Sequence, residues 1–297
     1  MVCAHLKQPH ETANGSKDRT LFCSLAPEGA VPGMLSHSKP CHIKSSLRGN
    51  TGTMTNQKIA IVTGGSRGIG AAIALELSGL GFFVVVVCSK DVAGAEAVVA
   101  DVIAGGGKAA FLQADVGQND QINALFATIA VTYGRVDVLV NNAGISGLGG
   151  LTDIDWDVAS HVLDVNFKSV LFCSAQAVPL FPAEGGAIIN MSSVLANQPS
   201  AGQGLYAASK AAVEALTRIM AQELGPKNIR VNAVAPGPTE TDLLPSDPNL
   251  RGYINSRTPL GRAGLPIDVA RIVAFLATDN AAWMTGQIVN ADGGIRV

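Results

Sequence analysis

From Lys58 onward the chain alternates between two hydrophobic rhythms. Short continuous apolar runs recur as "KIAIVT", "FFVVVVCS", "KAAFLQAD", "VDVLVNNAG", "GAIINMSS", "IRVNAVAPG" and "GQIVNADGG". Between them lie stretches whose apolar positions return every three or four residues, such as "IGAAIALELSGLG", "DVAGAEAVVADVIAGGG" and "QINALFATIAVTYG". Further helices are predicted around residues 155–180, over 205–224 and near 266–278. "FFVVVVCS" is so continuously β-branched and aromatic that both its faces must be covered, which marks a central parallel strand. Seven strands with intervening helices predict an α/β fold, a doubly wound parallel seven-stranded sheet with helices on both faces and ligands beyond the carboxyl ends of the strands. No Pro/Gly/Ser linker interrupts the pattern after Met54, so residues 54–297 read as one domain.

Residues 1–53 have a different character: rich in Ser, Gly, Pro, His and Lys, without a period, and too polar to bury much. An apolar signal-peptide core is missing. Lys7, Lys17, Arg19, Lys39, Lys44 and Arg48 outnumber Glu11, Asp18 and Glu28. The readings for this tail are therefore disorder or an upstream start-site artefact, with Met54 as the second beginning, and against these an organelle-targeting segment or a part in the fold. His5, His10, His37 and His42 are too irregularly spaced for a metal site, and no metal is expected.

Composition narrows the function. The 297 residues are 47% hydrophobic, and 21 basic against 23 acidic residues are dispersed to a net charge of −2. Such a balance offers no basic stripe for nucleic acid, and no apolar run is long enough to predict a membrane span. Five cysteines without CxxC spacing, Cys3, Cys23, Cys41, Cys88 and Cys173, fit a reducing compartment, and a cytoplasmic location is expected. Cys88 and Cys173 read as small core residues.

The first strand runs directly into "TGGSRGIG", residues 63–70, and then into the first helix. Gly64, Gly68 and Gly70 there permit a tight turn, bring backbone N–H groups to a pyrophosphate and let the helix pack on the sheet. The end of the second strand reads Cys88, Ser89, Lys90, with no acid to grip an unphosphorylated ribose. Ser89, Lys90 and Arg67 are all potential phosphate donors, which favours NADPH over NADH. Asp91, one residue later, is the competing ribose ligand if the strand runs longer.

"YAASK" places Tyr206 and Lys210 four positions apart on a helix, hence on one face. A cation beside a phenol stabilises the phenolate, and the pairing predicts a lowered Tyr206 pKa and a proton donor to a developing alkoxide. "NMSS" ends the preceding strand with Ser192 and Ser193, either of which could hold a substrate oxygen. Asn166, a poor helix former inside a long helical region, asks for a reason: a buried amide bridging backbone groups, or one that holds a water for the lysine's proton. His161, five positions earlier, reads as a surface or packing residue.

Together "TGGSRGIG", "NNAG" (141–144), "YAASK" (206–210) and "PGPTETD" (236–242) resemble a classical short-chain dehydrogenase/reductase, near its 3-oxoacyl-carrier-protein reductase branch, over residues 56–295. The resemblance implies a catalytic tetrad of Asn166, Ser193, Tyr206 and Lys210, the second serine being chosen by its distance from the tyrosine. It carries Ser66 and Ile69 of the glycine turn into the cofactor site and implies that Asp115 and Val116 border the adenine. Asn142, Ala143 and Gly144 become the cofactor wall, and Lys210 a ligand of the nicotinamide ribose. Of the later motif, Pro236 and Gly237 join the cofactor site, the backbone at Thr239 meets the carboxamide and Thr241 lies near the pyrophosphate. A homodimer or homotetramer is implied, with Val213, Leu216 and Ile219 facing either a partner or the core.

For the substrate, "GISGLGG" (144–150), residues 193–204 and a lid at about 242–264 should form the enclosure. Loop glycines and Leu148 predict a roomy apolar entrance for a small, neutral ketone or aldehyde, reduced reversibly to its alcohol. An acyl-carrier-protein partner would want basic residues beside that entrance. Lys227 fits one such position, while Glu184 stands where the family often has a basic residue and argues against the carrier. The alternatives are the carrier-protein reductase, a sugar or polyol dehydrogenase, and a non-catalytic dinucleotide-binding scaffold.

Overall fold

A computed structural model describes residues 45–46, 57–147 and 149–295. The expectations for Leu148, for the histidines and charges of the leading tail, and for Cys3, Cys23 and Cys41 lie outside the described residues. The strands are β1 Ser45–Ser46, β2 Ile59–Thr63, β3 Phe83–Cys88, β4 Lys108–Gln113, β5 Val138–Asn141, β6 Gly186–Met191, β7 Ile229–Pro236 and β8 Ile288–Ala291. They lie in the order β1-β4-β3-β2-β5-β6-β7-β8. The seven from β2 to β8 are parallel, as the sequence pattern predicts. The two-residue β1 pairs antiparallel with the outer edge of β4, Ser45 opposite Leu112.

Period-two alternation divides the sheet's side chains between two cores. Ala60, Val62, Val84 and Val86 point to the face covered by α1 (Gly68–Gly79), α2 (Val92–Ala104) and α8 (Pro266–Ala277). Ile59, Ile61, Val85 and Val87 point to the other face, under α3 (Asn119–Thr132), α5 (Ser169–Ala177) and α6 (Gly204–Leu224). Cys88 and Cys173 are buried, and burial pushes the thiols up to about 11 and about 12, as small core residues should behave. The strand order reverses at β2, which has β3 on one side and β5 on the other. The crevice beyond their carboxyl ends is where such sheets bind ligands.

Two stretches depart from the predicted elements. The helical region near 155–180 is α4 (Trp156–Leu163), a π-helical turn at Asp164–Lys168, α5, and a 3₁₀ turn at Val178–Leu180. The expected lid contains a helix, α7 (Pro248–Arg257), started by Asp247, whose carboxylate accepts from the Asn249 N–H at 2.9 Å. Ile254 is its one buried residue, so no apolar stripe in the sequence announced it. Among the described residues no helix is long and apolar enough to cross a membrane, and no group of three or more His, Cys, Asp or Glu side chains could hold a metal.

Candidate active site

Helix α6 brings Tyr206 and Lys210 against the end of β6, as the i,i+4 spacing requires. The Lys210 ammonium lies 5.7 Å from the centroid of the Tyr206 ring, and its Nζ donates to the Met191 carbonyl at 2.9 Å. Ser193, just past β6, hydrogen-bonds the Tyr206 phenol. Its Oγ also accepts from the Leu195 N–H at 3.2 Å. Ser192 is turned elsewhere, its hydroxyl donating to Glu214 Oε1 at 3.0 Å, so Ser193 is the serine that faces the phenol. Asn166 lies in the π-helical turn and is fully buried. Its Oδ1 accepts from the Ile145 N–H at 2.8 Å, and its Nδ2 donates to the Ile145 carbonyl at 2.9 Å and to Ser209 Oγ at 3.1 Å. The amide thus pins the loop after β5, and a Cβ built at Gly144 would stand 3.4 Å from Lys210 Nζ and 3.5 Å from Asn166 Oδ1. All four predicted side chains therefore converge, and His161 is exposed and outside the cluster.

The electrostatics correct one expectation. Burial raises the Tyr206 phenol above its ordinary value of 10.0, and the hydrogen bond with Ser193 pulls the other way without cancelling it. The predicted lowering by Lys210 is not found, because the ammonium is turned to the Met191 carbonyl and is itself destabilised. Lys210 is 4% exposed, and burial lowers its pKa to about 8.

Around the glycine turn the backbone comes unusually close. Gly64 has φ +62°, and a Cβ there would meet Ala143 Cα at 2.9 Å; at Gly70 it would meet the Gly64 carbonyl at 2.3 Å and Asn142 Nδ2 at 2.6 Å. Asn142 explains the crowding: its Nδ2 donates to the carbonyls of Thr63 and Gly64 at 2.9 and 3.0 Å, locking the turn to the end of β5. Its own N–H and that of Ala143 both donate to Thr63 Oγ1 at 3.0 Å. Thr241 reaches the turn from the other side, its Cγ2 lying 3.2 Å from where a Gly68 Cβ would be. Ser66 and Ile69 complete this turn and the start of α1. Pro236 ends β7, Gly237 donates its N–H to the Ala291 carbonyl at 3.0 Å, and buried Thr239 donates its hydroxyl to the Gly237 carbonyl at 2.9 Å.

At the tip of β3, Ser89 and Lys90 are exposed. Asp91 is occupied as the N-cap of α2, accepting from the Gly94 N–H at 3.0 Å. Arg67 caps the start of α1 with extended backbone, and its guanidinium pairs with Asp242 at 3.2 Å, both side chains largely exposed. Asp115, at the end of β4, closes a turn by accepting from the Gly117 N–H at 3.0 Å, and Val116 beside it is buried. This tight backbone cradle at a helix start, with two exposed donors at the adjoining strand tip, fits a dinucleotide.

The charges weighed for the entrance lie elsewhere. Glu184 precedes β6 and Lys227 precedes β7, whereas Ser193 follows β6. A six-residue parallel strand spans about 20 Å, so both charges lie at the edge opposite the reacting groups. Their signs therefore say nothing about a partner at the entrance. Val213 is fully buried and Leu216 packs on the second core, while Ile219 alone of the three is half exposed. The sequence reading also passed over Glu214, which continues the Tyr206–Lys210 stripe by one more turn; the signal was its position four residues after Lys210.

The fold and this site define a dinucleotide-dependent oxidoreductase of carbonyl and alcohol groups. The comparisons agree. A family model described as "Enoyl-(Acyl carrier protein) reductase" matches residues 64–296. The chain is 42% identical over 243 residues to an uncharacterized oxidoreductase of Methylorubrum extorquens, covering 80% of this chain and 98% of that one. It is 40% identical over 247 residues to a 3-oxoacyl-[acyl-carrier-protein] reductase of Staphylococcus aureus, covering 82% and 99%. Among solved structures, a short-chain dehydrogenase from Burkholderia cenocepacia in complex with NADP superposes with a TM-score of 0.77, 40% identity and coverage of 81% and 98%. The chain belongs to the short-chain dehydrogenase/reductase family, related to its 3-oxoacyl-carrier-protein reductase branch. It is an NAD(P)-dependent enzyme.

Proposed function

We propose that the protein reduces a small, neutral ketone or aldehyde to the alcohol with NADPH, and that Tyr206 supplies the proton. The observation that carries this reading is the phenol of Tyr206 hydrogen-bonded to Ser193 while Lys210 lies 5.7 Å from its ring. Bound NADPH, held by the glycine turn, Asn142, Thr241, Ser89 and Lys90, would supply the hydride. Ser193 donates its hydroxyl hydrogen to the substrate carbonyl, while one of its two lone pairs accepts from the Leu195 N–H. As charge gathers on that oxygen, Tyr206 passes it a proton. An alkoxide is far more basic than a phenolate, so the raised phenol pKa keeps Tyr206 protonated at neutral pH without preventing the transfer. Lys210, charged below pH about 8, favours the phenolate left behind, and Asn166 keeps the Ile145 loop in place beside it.

NADPH is preferred to NADH because Asp91 is committed to capping α2 and Ser89 and Lys90 stand free at the strand tip. A neutral substrate is preferred because Arg251 and Arg262, both in the lid, are already paired with Glu240 and Asp268. A 3-oxoacyl thioester on a carrier protein is the second reading, supported by the 40% identity to the Staphylococcus aureus reductase. A homodimer or homotetramer is proposed from half-exposed Ile219 and Phe172 on α6 and α5, with light scattering as its check. The deciding experiment is a panel of neutral ketones, aldehydes and acyl thioesters with NADPH or NADH, run on the parent and on Tyr206→Phe. Loss of the acid should cost at least about 10²-fold in turnover with nucleotide binding retained. Undiminished turnover in the variant rules the mechanism out.

A further inference from the structure

We propose that Glu214 is a positioning residue that holds Ser193 at the phenol of Tyr206. The inference rests on the reading of Ser193 and Tyr206 as reacting groups given above. Glu214 is 3% exposed, in the middle of α6. A carboxylate so buried is several kcal/mol unfavourable unless its oxygens are fully engaged, and an apolar residue at this position would serve packing better. Its partners show what it is there for. Ser192 Oγ donates to its Oε1 at 3.0 Å, and Asn197 Nδ2 lies 3.0 Å from both of its oxygens. Arg218, one turn on and half exposed, is more distant at 3.7 Å.

Ser192 and Asn197 bracket the segment that carries Ser193. Between them lies a single 3₁₀ turn, Val194–Ala196, which Ser193 opens and Asn197 closes. A turn of this length has poor internal hydrogen bonding and does not fix its own position. The Ser192 N–H continues the sheet ladder by donating to the Val234 carbonyl of β7 at 2.7 Å, and the side-chain ties come from one stripe of α6: Tyr206 to Ser193, Lys210 to the Met191 carbonyl, and Glu214 to both Ser192 and Asn197. Glu214 is the only one of these residues that grips the segment on both sides of the reacting serine. Since a displacement of about 1 Å at a reacting group costs on the order of 10²-fold in rate, the brace matters to the chemistry and not only to the fold.

The test is a double-mutant comparison in the NADPH-dependent reductase assay, with the nucleotide Kd followed by cofactor fluorescence. Glu214→Ala should lower kcat on the order of 10²-fold while leaving the NADPH Kd unchanged. Glu214→Gln, whose single carbonyl oxygen can receive both Ser192 and Asn197, should restore most of the rate. In a Ser193→Ala background, Glu214→Ala should cause no further loss, because the group it positions is already gone. An equal fold-loss in both backgrounds, or a parental kcat in Glu214→Ala, overturns the proposal. If Glu214→Ala does not fold, Ser192→Ala and Asn197→Ala carry the same prediction of non-additivity with Ser193→Ala. A parental kcat in Ser193→Ala alone sinks the active-site reading itself, and the single mutant thereby separates that failure from a failure of the brace.

Discussion

Replacing Lys210 with methionine should make the protein more stable at neutral pH while abolishing its activity. The side chains are close in length, so the substitution removes the charge with little change in packing. Burial lowers the Lys210 pKa from 10.5 to about 8, and at 1.36 kcal/mol per pKa unit the charged ammonium is about 3 kcal/mol worse off in the fold than in water. Against this, the variant leaves the Met191 carbonyl without the donor it has at 2.9 Å, a loss of about 1 kcal/mol. The net expectation is a gain of about 2 kcal/mol at pH 7. Because the folded-state pKa is the lower one, the unfolded chain binds more protons between pH about 8 and 10.5, and parental stability rises across that window. Below it both states carry the proton and the penalty is complete; above it neither does and the penalty is gone. Lys210→Met has nothing to titrate there, so its advantage should shrink steadily as the pH rises from 8 to 10.5. Urea midpoints for both proteins at a series of pH values measure the gap directly, with contributions from all other groups common to both. A variant no more stable than its parent at pH 7, or a gap that stays constant through the alkaline range, would refute the argument that the site holds a desolvated cation at a cost in stability.

Three other outcomes follow from the cofactor side of the site. Lys90→Ala should weaken NADPH about 10-fold or more, the size of a lost charge-assisted hydrogen bond, and leave NADH unaffected; equal losses in fluorescence titrations of both would mean that Lys90 does not meet a 2′-phosphate. Gly70→Ala would drive a methyl into the Gly64 carbonyl and Asn142 Nδ2, 2.3 and 2.6 Å away, so the turn must open and nucleotide affinity should fall at least about 10-fold; parental affinity would show that the cradle is not the binding site. Asp242→Ala removes an exposed partner of Arg67 at 3.2 Å, a pair worth at most about 1 kcal/mol. Its melting temperature should be unchanged while NADPH binds a few-fold tighter at low salt, and weaker binding would place Arg67 outside the phosphate site.

The parts of this molecule that were legible in the sequence are those where a local pattern and a tertiary demand coincide. "FFVVVVCS" could be read as a central strand because a strand covered on both faces has no polar side to show, and Val84 through Val87 do pack alternately into the two cores. The Tyr206–Lys210 pair could be found because helix geometry alone places i and i+4 together. What that geometry could not supply was the direction of the ammonium: Lys210 is claimed by a carbonyl of β6, remote in sequence, and the expected effect on the phenol went with it. The same limit applies to Asn166, whose oddness in a helix was visible but whose reason, a π-helical turn that presents the amide to the Ile145 backbone, depends on a loop 21 residues away. Glu184 and Lys227 were misplaced for the opposite reason, since a charge was weighed without asking which end of its strand it precedes. In a parallel sheet that single question sorts every loop residue into a reacting edge and a remote one. It also selects Glu214, because a helix returning antiparallel beneath the strands starts at the reacting edge, and a buried acid at its midpoint still has the loop after β6 within its reach.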